Sequence, residues 1–304
     1  MKVFDVHIHT WGDVPKHIAL DRMAAAGIDR CAVFSKEPTC FYHNDRVTSD
    51  AHVRLEEVLE LCAPYEGKVF PVLWIHPDEP GVIDLIQEAA QRGIAAFKCI
   101  CNNFYIGEEK GIAMLEAVAK SGKPILFHSG ILWDDSASSK YNRPLNWEEI
   151  LNRSAGYIDR CQGLKFSLAH CSWPWYDECI ALYGKFLANF REHPEDNIEM
   201  FFDLTPGTPA SYRHDLLRKL LNCGYDVEHN ILWGTDCNAD DYNDEWAKKW
   251  LGMDNAIMDD LNISETFRER IFYKNAERFF NLPGAEKHIA VPVGSDGRKM
   301  EIEQ

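Results

Sequence analysis

Short apolar runs alternate along this chain with longer stretches in which apolar residues recur every three or four positions. Runs that are apolar almost throughout suit strands buried on both faces, and the three-to-four spacing suits helices with one buried face. The pattern predicts strands over 3–9, 30–35, 69–76, 94–101, 124–129, 164–170, 198–203 and 231–236. It predicts helices over 16–26, 51–62, 82–92, 111–121, 147–161, 176–192, 212–222 and 265–281. Gly27, Gly67, Gly93, Gly122, Gly163 and Gly224 each fall between a helix and the next strand, where a left-handed C-terminal cap is expected.

Strands and helices in strict alternation predict an α/β protein, a single-domain (β/α)8 (TIM) barrel. The 304 residues exceed the usual domain size, but a barrel of roughly 250 residues is one domain. The rival is an open doubly wound sheet. Its dinucleotide-binding form wants G-x-G-x-x-G after the first strand, and none is there. We read residues 1–282 as the barrel and 283–304, rich in glycine and charge, as a C-terminal tail. Two connections are long: 36–50, with Cys40, Phe41, Tyr42, His43 and Arg46, and 130–145, with Trp133, Lys140, Tyr141 and Arg143. Both follow strands, where barrels build their active-site face, so a lid or substrate wall is expected there.

Charge and cysteine usage narrow the partners. A net charge of −16 argues against nucleic acid or an anionic membrane surface. No apolar run reaches the ~18–20 residues of a membrane helix, and the chain opens on a strand rather than a secretory signal. The ten cysteines contain no C-x-x-C pair, and Cys31, Cys99, Cys101, Cys171 and Cys237 lie in or just after strand-like runs. Free thiols in a reducing, cytoplasmic setting are the expectation.

The chemistry lies at the strand ends. In Asp5-Val6-His7-Ile8-His9 two histidines one residue apart project to one face of a strand, where neutral imidazoles can grip a divalent metal. Later strands end in His76, Lys98, His128, His170, Asp203 and Asp236. Burying such groups unpaired costs a few kcal/mol each, so their recurrence at one end of successive strands points to a shared site. His76, before Pro77, has turn capping as its competing reading, and Asp203 a bond to a neighbouring loop. Lys98 could hold a substrate carboxylate with its ammonium, or pack its stem while its head reaches solvent. Trp11, Phe104, Trp133, Trp173 and Trp175 follow strand ends; packing explains most, and one or two are expected to wall a pocket. Arg143 and Lys36 are candidate anion binders.

Asp5-Val6-His7-Ile8-His9, Phe127-His128-Ser129-Gly130, Leu168-Ala169-His170-Cys171 and Leu232-Trp233-Gly234-Thr235-Asp236 resemble the amidohydrolase superfamily. More narrowly they resemble its amidohydrolase-2 branch, which includes the aminocarboxymuconate-semialdehyde decarboxylase type. The ending Tyr273-Lys274-Asn275-Ala276-Glu277-Arg278-Phe279-Phe280 is similar to that branch's last helix, whereas Cys237-Asn238-Ala239 departs from the aromatic-Pro common there. The resemblance implies that His7, His9, His128 and Asp236 hold a divalent metal, zinc first and manganese second. It implies for His170 either a second metal's ligand or a group that polarises substrate and moves protons. It adds a third reading of Lys98, a carboxylated bridge between two metals. A bound metal lowers the pKa of its water toward ~7; Asp236 could take the water's proton and His170 could stabilise the oxyanion.

The expected activity is hydrolysis of an amide, ester or lactone bond in a small, carboxylate-bearing substrate, contacted by Lys98, Arg143 and Trp133. The alternative is a metal-dependent non-oxidative decarboxylase, a lyase for an unsaturated or aromatic acid. A metal-binding barrel without catalysis is disfavoured by the complete ligand set. The resemblance also allows a homodimer.

Overall fold

The computed structural model describes residues 1–10, 17–40, 50–133 and 137–288. Trp11, Phe41, Tyr42, His43, Arg46 and tail residues 289–304 lie outside the described residues.

The strands are β1 (Phe4–His9), β2 (Arg30–Phe34), β3 (Val69–Trp74), β4 (Ala96–Cys99), β5 (Ile125–Phe127), β6 (Lys165–Leu168), β7 (Glu199–Asp203), β8 (Ile231–Leu232) and β9 (Cys237–Asn238). All pair in parallel, β1 to β8 in chain order, with β9 on the far side of β1. Since β9 continues the chain of β8, this order closes a ring. The seam is bonded from Val6 N–H to Trp233 O (3.1 Å), Asp236 N–H to His7 O (3.0 Å) and Ala239 N–H to His9 O (2.9 Å). The (β/α)8 barrel expected from the alternation is therefore the fold.

One small apolar cluster takes residues from nearly every strand: Phe4, Val6, Ala32, Phe34, Val72, Ala96, Leu126, Phe201 and Leu232. Residues from opposite sides of the ring can meet this way only inside it. Tyr273, Ala276, Phe279 and Phe280 of the last helical stretch close this cluster. With a side-chain period of two, the positions two residues beyond Val72, Ala96, Leu126 and Phe201 are Trp74, Lys98, His128 and Asp203. The polar layer thus rests directly on an apolar plug. A larger cluster fills the space between the strands' outer faces and the helices.

Helices Ala51–Cys62 and Tyr176–Glu192 form where the apolar spacing predicts them. Asp50 caps the first, its side chain accepting from His52 N–H at 2.9 Å. The stretch 147–161 corrects the prediction: it breaks into the 3-10 turn Pro144–Leu151 and the single helical turn Tyr157–Arg160. Gly156 between them has φ 72°, a value that ends right-handed helix. Helix Asp244–Asp260, capped by Asn243, was not anticipated. The six glycines expected at caps all have positive φ.

The tail's first residues pack on the barrel. Glu286 pairs with Arg270 (3.3 Å), and the His288 ring stacks on His229 at 3.6 Å. All ten cysteines are free thiols. Among the described residues no helix is long and apolar enough to cross a membrane.

Candidate metal centre and active site

Three of the five expected ligands converge. His9 Nε2 lies 3.1 Å and His7 Nε2 3.6 Å from Asp236 Oδ1. The donor atoms of His7, His9 and Asp236 lie within 4.8 Å of one another. Zinc ligands at about 2.0–2.2 Å stand roughly 3.4 Å apart in a tetrahedron, so these separations suit one ion.

The charge states suit it too. Burial pulls the His7 imidazole down to about 3, with the Lys98 ammonium adding to the effect, and burial likewise lowers His9. Burial pushes Asp236 up, but its hydrogen bond to His9 and the fields of His9, His7 and His170 outweigh that and hold the carboxyl well below its ordinary range. Neutral imidazoles facing an ionised carboxylate are what a divalent metal requires.

Asp203 orients His7. Fully buried at the end of β7, it takes the Nδ1–H of His7 on Oδ2 (2.9 Å) and two donors from Thr205 on Oδ1, the N–H (2.8 Å) and the hydroxyl (2.6 Å). Nδ1 protonation leaves the Nε2 lone pair of His7 facing the cluster. The next residues serve His170, whose Nδ1 lies 3.2 Å from Thr205 O. Gly207 packs so close that a Cβ there would meet His170 Cγ at 2.6 Å. Asp5 anchors the motif from behind, its carboxylate accepting from the N–H groups of His7 (3.1 Å) and Thr235 (3.0 Å) and the hydroxyls of Thr235 (2.5 Å) and Tyr242 (3.0 Å).

His128 and His170 stand at the same cavity but outside the tight cluster. Their rings are 4.9 Å apart, and His128 Nε2 turns to Ile131 O at 3.2 Å. Lys98 is fully buried, its Nζ 3.3 Å from His7 Nε2 and 5.0 Å from the centre of the Phe34 ring. Burial lowers its pKa to about 8, so the ammonium persists at neutral pH. The head does not reach solvent, which removes the packing-only reading. All these groups open on a cavity of about 350 Å³ walled by Trp74, Ile100, Leu132, Trp133 and Trp173.

Other expected residues lie elsewhere. Arg143 does not line the cavity: it pairs with Glu178 (2.8 Å from Nε) and lies over Trp175. A guanidinium so neutralised is not the anion binder its loop position suggested. Lys36 points to Glu57 (3.5 Å), also away from the cavity. His76 holds a turn, its Nε2 2.8 Å from Asn102 Oδ1 and its Nδ1 accepting from Asp78 N–H (3.1 Å). Phe104 is buried against His76. Trp74 was missed: it reads as an ordinary strand residue, yet its ring lies 5.8 Å from His9.

The chain belongs to the amidohydrolase family, whose sequence profile (the amidohydrolase-2 type) matches residues 4–282. No curated protein matches it by sequence. Among solved structures it is similar to 5-carboxyvanillate decarboxylase LigW from Sphingomonas paucimobilis, with TM-score 0.62, 13% identity, and 92% of this chain and 99% of that one covered. It is similar to 2,6-dihydroxybenzoate decarboxylase from Rhizobium, with TM-score 0.61, 14% identity, and 93% and 100% covered. An amidohydrolase from Mycobacterium avium subsp. paratuberculosis gives TM-score 0.54 at 13% identity, with 88% and 74% covered. At these identities the likeness is one of fold.

Proposed function

We propose that this protein is a metal-dependent hydrolase that cleaves an amide, ester or lactone bond in a small, carboxylate-bearing substrate. One observation carries the reading: His7, His9 and Asp236 converge on a cavity that Lys98 and His170 also line. His7, His9 and Asp236 would hold the ion, with the His170 ring 5.6 Å from that of His7 and His128 beside it at the same cavity; zinc fits the donors best, manganese next. When bound, a divalent ion supplies Lewis acidity and makes water a nucleophile near neutral pH.

The protein's own groups divide the remaining work. Thr205 O accepts a hydrogen bond from the Nδ1–H of His170, so the neutral ring presents a lone pair at Nε2 and the imidazolium a proton. His170 therefore suits accepting the attacking water's proton and returning it to the leaving group. Asp236 stays ionised and can orient that water. Lys98 holds positive charge where a substrate carboxylate or developing oxyanion would lie.

Non-oxidative decarboxylation is the second reading. Trp74, Ile100, Leu132 and Trp173 give the cavity an apolar wall suited to a flat unsaturated acid, and poor solvation of its carboxylate favours loss of carbon dioxide. His170 would then deliver the proton that replaces it.

The test begins with elemental analysis of protein purified without added metal or chelator. Lactones, amides, esters and aromatic or unsaturated acids are then screened by product mass and carbon dioxide release. About one metal per chain and a product heavier by one water supports the hydrolase. About two per chain brings back a carboxylated Lys98. Carbon dioxide release without water uptake moves the assignment to the lyase. Metal content that stays near zero after resupply overturns both.

A further inference from the structure

We propose that Trp133 and Trp173 form a stacking ledge at the cavity mouth that binds a second, planar part of the substrate, beyond the portion held over the metal cluster. The proposal rests on the site assignment above and concerns substrate class: an anionic head joined to a flat conjugated arm.

Trp133 is 76% exposed, yet its indole is stacked on that of Trp173 at 6.0 Å between centroids and 17° from parallel. Trp173 leans in turn on Tyr212 at 6.2 Å. The ledge is tied to the barrel rather than loosely hung. Ile131 N–H donates to Trp173 O at 3.0 Å, and Leu132 N–H to Ser139 Oγ at 2.9 Å. A Cβ at Gly130 would lie 2.4 Å from Trp173 O, so the loops after β5 and β6 approach as closely as glycine permits. Trp173 N–H donates to His170 O (3.1 Å), which fixes the ledge relative to the proton-transfer group. Both indoles line the cavity that Lys98, His7, His9 and Asp236 also line. Trp133 lines that cavity while being largely exposed, so a ligand seated on Lys98 would meet it if it left on that side.

The ring geometry selects the arm. Cages for quaternary ammonium groups surround the cation with several rings, whereas two near-parallel indoles offer one flat face. A face of this kind takes another π-system in offset stacking.

The experiment measures binding of benzoate and of biphenyl-4-carboxylate, which carries one further ring in line with its carboxylate to meet the ledge, to the metal-loaded protein by calorimetry. Trp133→Ala is expected to weaken biphenyl-4-carboxylate about 2- to 12-fold and leave benzoate unchanged, with Trp133→Tyr keeping most of the native affinity. Equal loss for both probes, or loss for neither, overturns the ledge while the site assignment stands. Failure of both probes to bind the native protein overturns the ledge too. Lys98→Met that changes neither affinity, with Trp133→Ala still discriminating, overturns the carboxylate anchor and leaves the ledge. A native dimer that Trp133→Ala dissociates in sedimentation shows the indole covered by a second copy and overturns it.

Discussion

Replacing Asp203 by asparagine tests the logic of the metal centre with a change of almost no volume. Oδ1 of Asp203 already accepts two hydrogen bonds from Thr205, at 2.8 and 2.6 Å. An asparagine would turn its only carbonyl oxygen to those donors. Its NH₂ would then face His7 Nδ1, where the carboxylate oxygen now sits at 2.9 Å. Two donors cannot share that line, so His7 would move its proton to Nε2 and lose the lone pair aimed at Asp236. Both side chains are within 1% of full burial, so water cannot repair the mismatch. Loss of such an outer partner typically costs 10- to 100-fold in metal affinity, about 1.4–2.8 kcal/mol. The assay is a chelator-competition titration with zinc on Asp203→Asn and native protein, beside thermal melts of both metal-free. The expected result is that loss of affinity with a metal-free melt shifted by a few degrees at most. Affinity within twofold of native would refute the argument, and a variant that no longer folds would show Asp203 to be structural first.

Gly207→Ala should push His170 aside, since the new Cβ would lie 2.6 Å from its Cγ and Nδ1; kcat should fall by roughly 100-fold with metal content unchanged, and turnover within twofold of native would count against His170. Arg143→Ala should leave kcat and KM within about twofold, because Glu178 already neutralises the guanidinium; a tenfold rise in KM would restore it as a substrate contact. The metal-free protein should lose stability as pH falls. His7, His9 and His128 are depressed from 6.5, His7 to about 3, so below pH 6.5 the unfolded chain takes up protons the folded one refuses. Asp5, raised to about 7 by burial, acts oppositely between its folded value and the unfolded 3.8, as does Glu79, also raised by burial, whereas His76 and His229, lowered by burial, add to the first trend. A Tm that stays flat or rises between about pH 6.5 and 4.5 would contradict this balance.

What the sequence reveals and hides follows from the range of each interaction. Strand periodicity is local, which is why His7, His9, Lys98 and His128 could be placed in one layer at the strand ends, whereas Asp236 lies outside any strand. Helix Tyr176–Glu192 was legible for the same reason. Asp203 was ambiguous because its partner is 196 residues away, and Arg143 was misplaced because Glu178, 35 residues on, is invisible to a reading of its loop. The eighth strand was expected to run unbroken over 231–236. The ladder instead stops at Leu232 and resumes at Cys237, with Asp236 between them at φ 63°. Helix Asp244–Asp260 escaped notice because its first turn, Asp244 and Glu245, reads as a polar loop until Asn243 is seen to cap it.

That break lies where the ring closes, and the coincidence has a physical reason. Two of the candidate metal ligands lie on β1 and the third lies between β8 and β9, so only closure brings them together. Asp5 makes the link rigid, holding His7 N–H from its own strand and Thr235 N–H from across the seam on one carboxylate oxygen. Asp236 N–H then bonds His7 O at 3.0 Å, which ties the left-handed residue to the strand whose imidazoles it faces. A left-handed non-glycine residue costs roughly 1–2 kcal/mol, and His170 (φ 59°) bears the same cost at the other side of the cavity. These conformations persist because the seam and the His170 turn are bonded on several sides. An ion held by His7, His9 and Asp236 would bind only the closed ring, and by mass action would add its binding free energy to the seam that strain weakens.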